Sequence, residues 1–400
     1  MNPAINPSLG DITLCLVVRK RTGNLANVLN SVNRLVSNML VIEAREVGTQ
    51  TVKHLASEYD AEYIHISDQN DEAALLNRSL KRAHTTWVLF LNPQEVLHMD
   101  DPVPVLKTIG NTEAIAFDFP VIRLAEPNNY HFATRLIRTD KNLRWHHTIY
   151  PTLDGSLNLA AEKFKLSTVT ELMPLAAIVS LGEPDREERE LQDMLARIEG
   201  ELEEDPLSAR YCYHLVKVAR QLKAWQRAHQ AVEEGLNVIS RRADAALNEP
   251  DGVNGLIGMF CESMLMSKYY SKKTVDSLWT IFNNMASDGR FSVPFGRLLL
   301  ATGRRGDAVT AQLVAIENFL NKRRYHLSLE DGLHSPALLI WEIEGAHSNH
   351  ALLNSVIRVQ TLLKRQQFDF QIVLKYIFDR NRALFSQLQE VLQASLKKRP

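Results

Sequence analysis

The sequence predicts a two-domain chain: an α/β domain with a mostly parallel sheet over residues 1–184, then an all-helical domain over residues 185–400. Three observations carry this. Between residues 12 and 91, short apolar β-rich runs alternate with amphipathic helical patterns, four strands with three helices between them. Such alternation implies right-handed crossovers and parallel pairing. From about Asp185, long segments of helical period dominate. A chain of 400 residues with 45% hydrophobic and 23% charged residues exceeds one ordinary domain and can bury a large core without staples.

The elements follow in order. Residues 12–18 (Ile-Thr-Leu-Cys-Leu-Val-Val) form a nearly continuous apolar run, as expected for a strand covered on both faces. Asn24 is placed to cap a helix in which Leu25, Val28, Leu29, Val32 and Leu35 share one face. Residues 39–42 are the second strand, and residues 52–59 read as a helix packing through Val52, Leu55 and Ala56. Residues 63–66 make a short third strand. A helix over 71–83 offers Ala74, Leu75, Ser79 and Leu80 for packing, and the fourth strand, 87–91, stops at Asn92-Pro93. Residues 115–124 and 132–137 add further β-like segments. In an open parallel sheet, ligands bind beyond the carboxyl ends of the strands. Here those ends are Arg19-Lys20-Arg21, Glu43-Ala44-Arg45, Ser67-Asp68 and Asn92-Pro93-Gln94-Glu95.

The second half opens with amphipathic patterns over 186–203 and 208–222. Ala209, Tyr213, Leu222, Ala224, Trp225, Ala228 and Ala231 give the alternation of small and large residues found in a helix-turn-helix repeat, and residues 300–308 offer a second candidate. These segments resemble tetratricopeptide units. The separation of Ala228 and Ala308 is no multiple of the ~34-residue repeat, so the array is expected to be irregular. Tyr211 and Trp225 are read as core. Residues 246–253 and 327–335 carry turn chemistry, Asn-Glu-Pro-Asp-Gly and Glu-Asp-Gly, and are read as loops.

Composition narrows the function classes. Lys and Arg number 46 against 47 Asp and Glu, a net charge of -1, which excludes a whole-protein basic field that would gather nucleic acid. Cys15, Cys212 and Cys261 stand far apart with no CxxC pair. That excludes a disulfide framework or zinc ribbon and fits a reducing compartment. Residues 1–7 lack a basic n-region and an apolar h-region, and no apolar run would span a bilayer. The expectation is a cytoplasmic protein. Lys397-Lys398-Arg399 suit the end of a solvated helix. There is no P-loop, GxGxxG, GxSxG or HExxH motif.

Residues 12–20 with Asn24, Leu25, Leu29, Ser31 and Val32 resemble the opening strand and helix of the family 2 glycosyltransferases of GT-A fold. The resemblance, which covers about half of the chain, continues through four further segments. Glu43 matches the acidic residue that closes the second strand and holds the nucleobase. Leu75-Leu76-Asn77 falls on the family's Ala-Arg-Asn helix, and residues 87–95 on the strand ending in the metal-binding Asp-x-Asp. Arg135-Leu136-Ile137-Arg138 with Leu143-Arg144-Trp145 matches the approach to an Ile-His-Glu motif. The family's peptide- and protein-modifying branch also has a helical-repeat C-terminus. Residues 188–191, 204–206 and 211–213 resemble that junction.

The departures fall at the chemistry. Asp-x-Asp has become Asn92-Pro93-Gln94, leaving Glu95 as the one carboxylate of the turn. A divalent ion that neutralises a leaving diphosphate wants more oxygen charge than that. Leu76 replaces the arginine of Ala-Arg-Asn, Arg45-Glu46-Val47 replaces a Gly-Ser turn, and Ile149-Tyr150-Pro151 lacks the His and Glu. The family's opening Asn-Glu is Arg21-Thr22 here. Glu95 and Asp118 are therefore the candidates for surviving catalytic chemistry. Arg19, Glu43, Arg45, Asn77, Asn92 and Gln94 are the candidates for holding a nucleotide-sugar donor, with a UDP-sugar as the implied class. No divalent metal is expected.

Other residues read structurally. His146-His147 suits a polar strand end, and Asp68, Asp71 and Glu72 suit helix caps rather than substitute metal carboxylates. His347 and His350 have HxxH spacing without an acidic partner, and residues 322–326 suit a basic helix end. Three functions stay open. One is a degenerate, glycosyltransferase-like scaffold that binds a protein or peptide partner through the helical domain. The second is a working metal-independent transferase acting on a protein or peptide, with Lys20, Arg45 or Arg138 as its cation. The third is a helical adaptor whose sheet domain is purely structural. A homodimer is compatible with each, and nucleic acid and a membrane span are not expected.

Overall fold

No charged residue interrupts the first strand between Ile12 and Val18, and it lies inside the sheet. Gly10–Val18 (β1) pairs in parallel with Val36–Ala44 (β2) on one side and with Trp87–Leu91 (β4) on the other. The structure, a computed structural model, describes all residues except 1–9, 20–23, 46, 68–70, 125, 167–169, 172–174, 182–187, 243, 246–248, 286, 323–327, 367 and 398–400. The chain divides into two units, Met1–Pro184 and Asp185–Pro400; the residues around the expected junction lie outside those described.

In the first unit, helices Leu25–Val32 (α1), Gln50–Glu58 (α2) and Glu72–Arg82 (α3) alternate with β1, β2, Glu62–Ile66 (β3) and β4. Then come Glu95–His98 (β5), Pro102–Gly110 (α4), Ala116–Arg123 (β6), Glu126–Arg138 (β7), Asp154–Phe164 (α5), Thr170–Glu171 (β8) and Ala177–Ser180 (β9). The strand order is β3-β2-β1-β4-β7-β6-β9-β5, with β8 paired to β6. The half built from β3, β2, β1 and β4 is parallel and Rossmann-like; β7 runs antiparallel to both β4 and β6.

Strand alternation divides the core between the two faces. Ile12, Leu14, Leu16, Leu89 and Leu91 pack with residues of α1, α2 and α4. Cys15, Val88, Phe90 and Ile137 pack on the other side with α3, α5 and Trp145. Each of these fully buried aliphatic side chains contributes about 1.5–3 kcal/mol.

The second unit holds helices Glu188–Glu204 (α6), Ala209–Gln221 (α7), Trp225–Arg241 (α8), Pro250–Ser267 (α9), Lys272–Asn284 (α10), Gly289–Ala301 (α11) and Arg305–Lys322 (α12). A π-helix, Glu330–His334, leads into Ser335–His347 (α13), Asn349–Arg365 (α14), Phe370–Arg380 (α15) and Arg382–Lys397 (α16). Helices α7 and α8 pack as a hairpin, as do α11 and α12, which turn through Gly303 at φ +78°. Both expected repeat hairpins therefore form. Helix α9 packs against α7 and α11. At Gly252 a Cβ would lie 2.6 Å from the Arg210 backbone nitrogen, so only glycine permits that approach. Among the described residues no helix is long and apolar enough to cross a membrane.

Three expectations are corrected. Residues 250–253 are not loop but the first turn of α9, because Pro250 sits at the start, where a helix needs no N–H. The segment around Glu-Asp-Gly is the π-helix rather than a loop, with Gly332 closely packed on Phe319. Trp225 is 62% exposed rather than core, since it opens α8 and the apolar stripe of that helix runs through Ala228, Ala231 and Val232; Tyr211 is buried.

Candidate functional site

The parallel strands bring the predicted donors to one rim. At the end of β2, Glu43 is fully buried. Thr49, the N-cap of α2, donates to it twice, from its backbone N–H (2.9 Å to Oε2) and its hydroxyl (2.9 Å to Oε1). The Tyr63 hydroxyl of β3 donates to Oε2 at 2.7 Å, and Arg45 Nε lies 3.7 Å from Oε1. Burial works to raise the Glu43 carboxyl, but the bonds from Tyr63 and Thr49 and the Arg45 charge outweigh it and hold the group below the usual carboxylate range. Burial and the Glu43 carboxylate together push the Tyr63 phenol up to about 12.

At the end of β1, Arg19 pairs with Glu72 in the first turn of α3, and Arg45 Nε donates to the Arg19 carbonyl at 2.9 Å. Asp71 caps α3 by accepting from the Ala74 N–H at 2.7 Å. The Glu72 N–H reaches the Thr148 carbonyl at 2.9 Å. Asn77 lies farther along α3, where its amide exchanges two 2.9 Å bonds with the backbone of Trp145. Leu76 packs into the apolar cluster beside it. His146 and Thr152 form an isolated antiparallel bridge around Ile149-Tyr150-Pro151, with His147 and Tyr150 at positive φ. Lys20, Arg21, Thr22, Glu46 and Asp68 lie outside the described residues.

The turn from β4 to β5 is held from several sides. Glu95 is 4% exposed. It accepts from the Asn92 backbone N–H and amide, both at 2.9 Å, and from Arg135 Nη2 at 2.6 Å. Asn24, in the N-cap position of α1, makes no side-chain cap there; its amide donates to Gln94 Oε1 at 2.8 Å. The Gln94 carbonyl accepts from the Leu181 N–H. Asp118 is buried within β6 and accepts from the Thr134 hydroxyl at 2.7 Å. Arg138 lies over the Trp87 ring and grips both carboxylate oxygens of Asp140.

The rim thus gathers Arg19, Glu43, Arg45, Asn92, Gln94 and Glu95 at the strand ends, while Asn77 and Asp118 serve the backbone and a neighbouring strand. The sequence reading missed Thr49, Tyr63 and Arg135. Arg135 carried a signal: a charge in a strand-like segment whose other members are Phe132, Ala133, Thr134, Leu136 and Ile137. Away from the rim, His347 and His350 are exposed, and of the basic run 322–326 only Lys322 is described. Among the described residues no three His, Cys, Asp or Glu side chains come together in a way that could hold a metal ion.

No family model matches the chain. A TPR repeat-containing protein of Synechococcus elongatus is 24% identical over 156 residues, 38% of this chain and 38% of that protein. The chain thus matches well under half the length of this curated relative. Among solved structures, glucosyl-3-phosphoglycerate synthase from Mycobacterium tuberculosis, in complex with phosphoglyceric acid, is 14% identical. It covers 46% of this chain and 75% of its own, with a TM-score of 0.33. S. aureus TarS is 11% identical over 74% of this chain and 53% of its own, also with a TM-score of 0.33.

Proposed function

We propose that the chain is a catalytically impaired, glycosyltransferase-like protein in which a GT-A-like domain (1–184) and a tetratricopeptide-like domain (185–400) together form a partner-binding scaffold in a glycosylation-related process. One observation carries this reading. Each candidate donor described at the strand-end rim is already engaged inside the chain: Arg19 by Glu72, Glu43 by Thr49 and Tyr63, Gln94 by Asn24, and Glu95 by Asn92 and Arg135. A nucleoside diphosphate would have to displace these bonds, each worth about 0.5–1.5 kcal/mol net and more where charged. Helix hairpins such as α7–α8 supply the kind of repeat surface on which a protein or peptide partner docks.

Calorimetric titration with UDP, UDP-sugars and GDP-sugars, with and without Mn²⁺, tests the reading alongside a donor-hydrolysis assay. The expected result is no binding at millimolar nucleotide and no hydrolysis. Hydrolysis or transfer of a sugar that is indifferent to EDTA and lost in Arg45→Ala would replace this reading with that of a metal-independent transferase.

A further inference from the structure

The transferase resemblance implies a divalent ion at the turn after β4, and the residues there do not fit one. Such an ion takes about six oxygen ligands in near-octahedral geometry. This turn supplies one carboxylate. Its Oε1 already receives two N–H donors, from the Asn92 amide at 2.9 Å and Arg135 Nη2 at 2.6 Å, and its Oε2 receives the Asn92 backbone N–H at 2.9 Å. The Asn92 side chain faces the carboxylate with its nitrogen, and the Gln94 Oε1 is taken by Asn24. The pair is enclosed, with side-chain exposures of 5% for Glu95 and 18% for Arg135. A metal would have to expel a guanidinium from a buried ion pair and strand its charge.

Arg135 reaches this position through an irregularity in the sheet. Phe117 of β6 pairs with Leu136, but the next residue, Asp118, pairs with Thr134. Arg135 is the extra residue between them, and such a bulge re-aims the side chain it carries. A regular ladder would have set Arg135 opposite a β6 residue.

We infer that Arg135 is the resident cation of this turn, standing in place of a divalent ion, and that the Asn92–Glu95 turn is closed to metals. Glu95 is then an anchor held by charge, not a metal ligand or a proton-transfer group. This rests on reading the rim as a former donor site. It adds that any phosphate-bearing ligand drawn there is bound without a metal.

The full-length chain is titrated with Mn²⁺ and free ion is followed by electron paramagnetic resonance, using wild type, Glu95→Gln, Arg135→Met and the double variant. The free-Mn²⁺ signal is expected to be the same with and without wild-type protein up to millimolar metal. Arg135→Met is expected to lower the melting temperature, and adding Glu95→Gln to recover most of that loss by removing the unpaired carboxylate. Stoichiometric Mn²⁺ uptake by wild type that Glu95→Gln abolishes would overturn the assignment. So would melting shifts of the two single variants that simply add. Should Arg135→Met fail to fold, the wild-type and Glu95→Gln titrations decide alone. EDTA-insensitive sugar transfer would remove the impaired-enzyme reading and leave Arg135 in its role; uptake of Mn²⁺ at Glu95 would remove the role.

Discussion

Acid should loosen the helical domain through His334. This residue closes the π-helix, is fully buried, and stacks on Tyr376 with ring centroids 4.5 Å apart. Neither ring nitrogen has a hydrogen-bond partner among the described residues. Burial lowers its imidazole from the ordinary 6.5 to about 3. The folded chain therefore keeps His334 neutral between those values, while the unfolded chain takes up a proton below 6.5. The associated stability is present in full above pH 6.5 and is lost as pH falls, by at most about 1.4 kcal/mol per pH unit. At pH 4.5 the loss is about 2–3 kcal/mol, and by pH 3 it is about 4–5 kcal/mol. Urea unfolding of wild type and His334→Phe at several pH values between 7 and 4.5 measures this, because phenylalanine keeps the stack and cannot take the proton. The other twelve of the 13 histidines are common to both chains, so their contributions cancel in the difference. Equal pH dependence for the two proteins would refute the reasoning, as would an imidazole resonance of His334 titrating near 6.5 in the folded state.

Further outcomes follow from the same packing. Glu43→Gln should bring the Tyr63 phenol down from about 12 toward its ordinary value, read by absorbance during alkaline titration, and should cost about 1–3 kcal/mol of stability. Gly289→Ala should destabilise by about 1–3 kcal/mol or more, because its Cβ would lie 1.5 Å from the Asp331 carbonyl oxygen. Gly306→Ala, in the first turn of α12 with nothing within 4 Å, should instead stabilise by about 0.5–1 kcal/mol, read as a higher melting temperature. Arg290 bonds Asp251 at 2.6 Å and Asp288 at 2.5 Å, and Arg290→Met should cost about 3–5 kcal/mol in chemical denaturation by leaving those carboxylates unpaired.

The amino-acid sequence by itself determined the periodic parts of this protein. Strands β1 to β4 were legible as short apolar, β-rich runs, the form a strand takes when both its faces are covered, and helices α1 to α3 and the repeat hairpins because a buried helical face must repeat every 3.6 residues, as Val28 and Ala231 do. It also placed Arg19, Glu43, Arg45, Asn92, Gln94 and Glu95 at strand ends, since the alternation of elements dictates which loops share a rim. Only the tertiary structure decided what those residues do. Glu43 meets Tyr63, 20 residues away, and Glu95 meets Arg135, 40 residues away. A β-bulge that aims one arginine leaves no periodic trace, and a proline that opens a helix at Pro250 looks locally like the end of a turn. Local pattern records which side of an element is buried. Which charges neutralise each other depends on distances that exist only once the sheet is assembled.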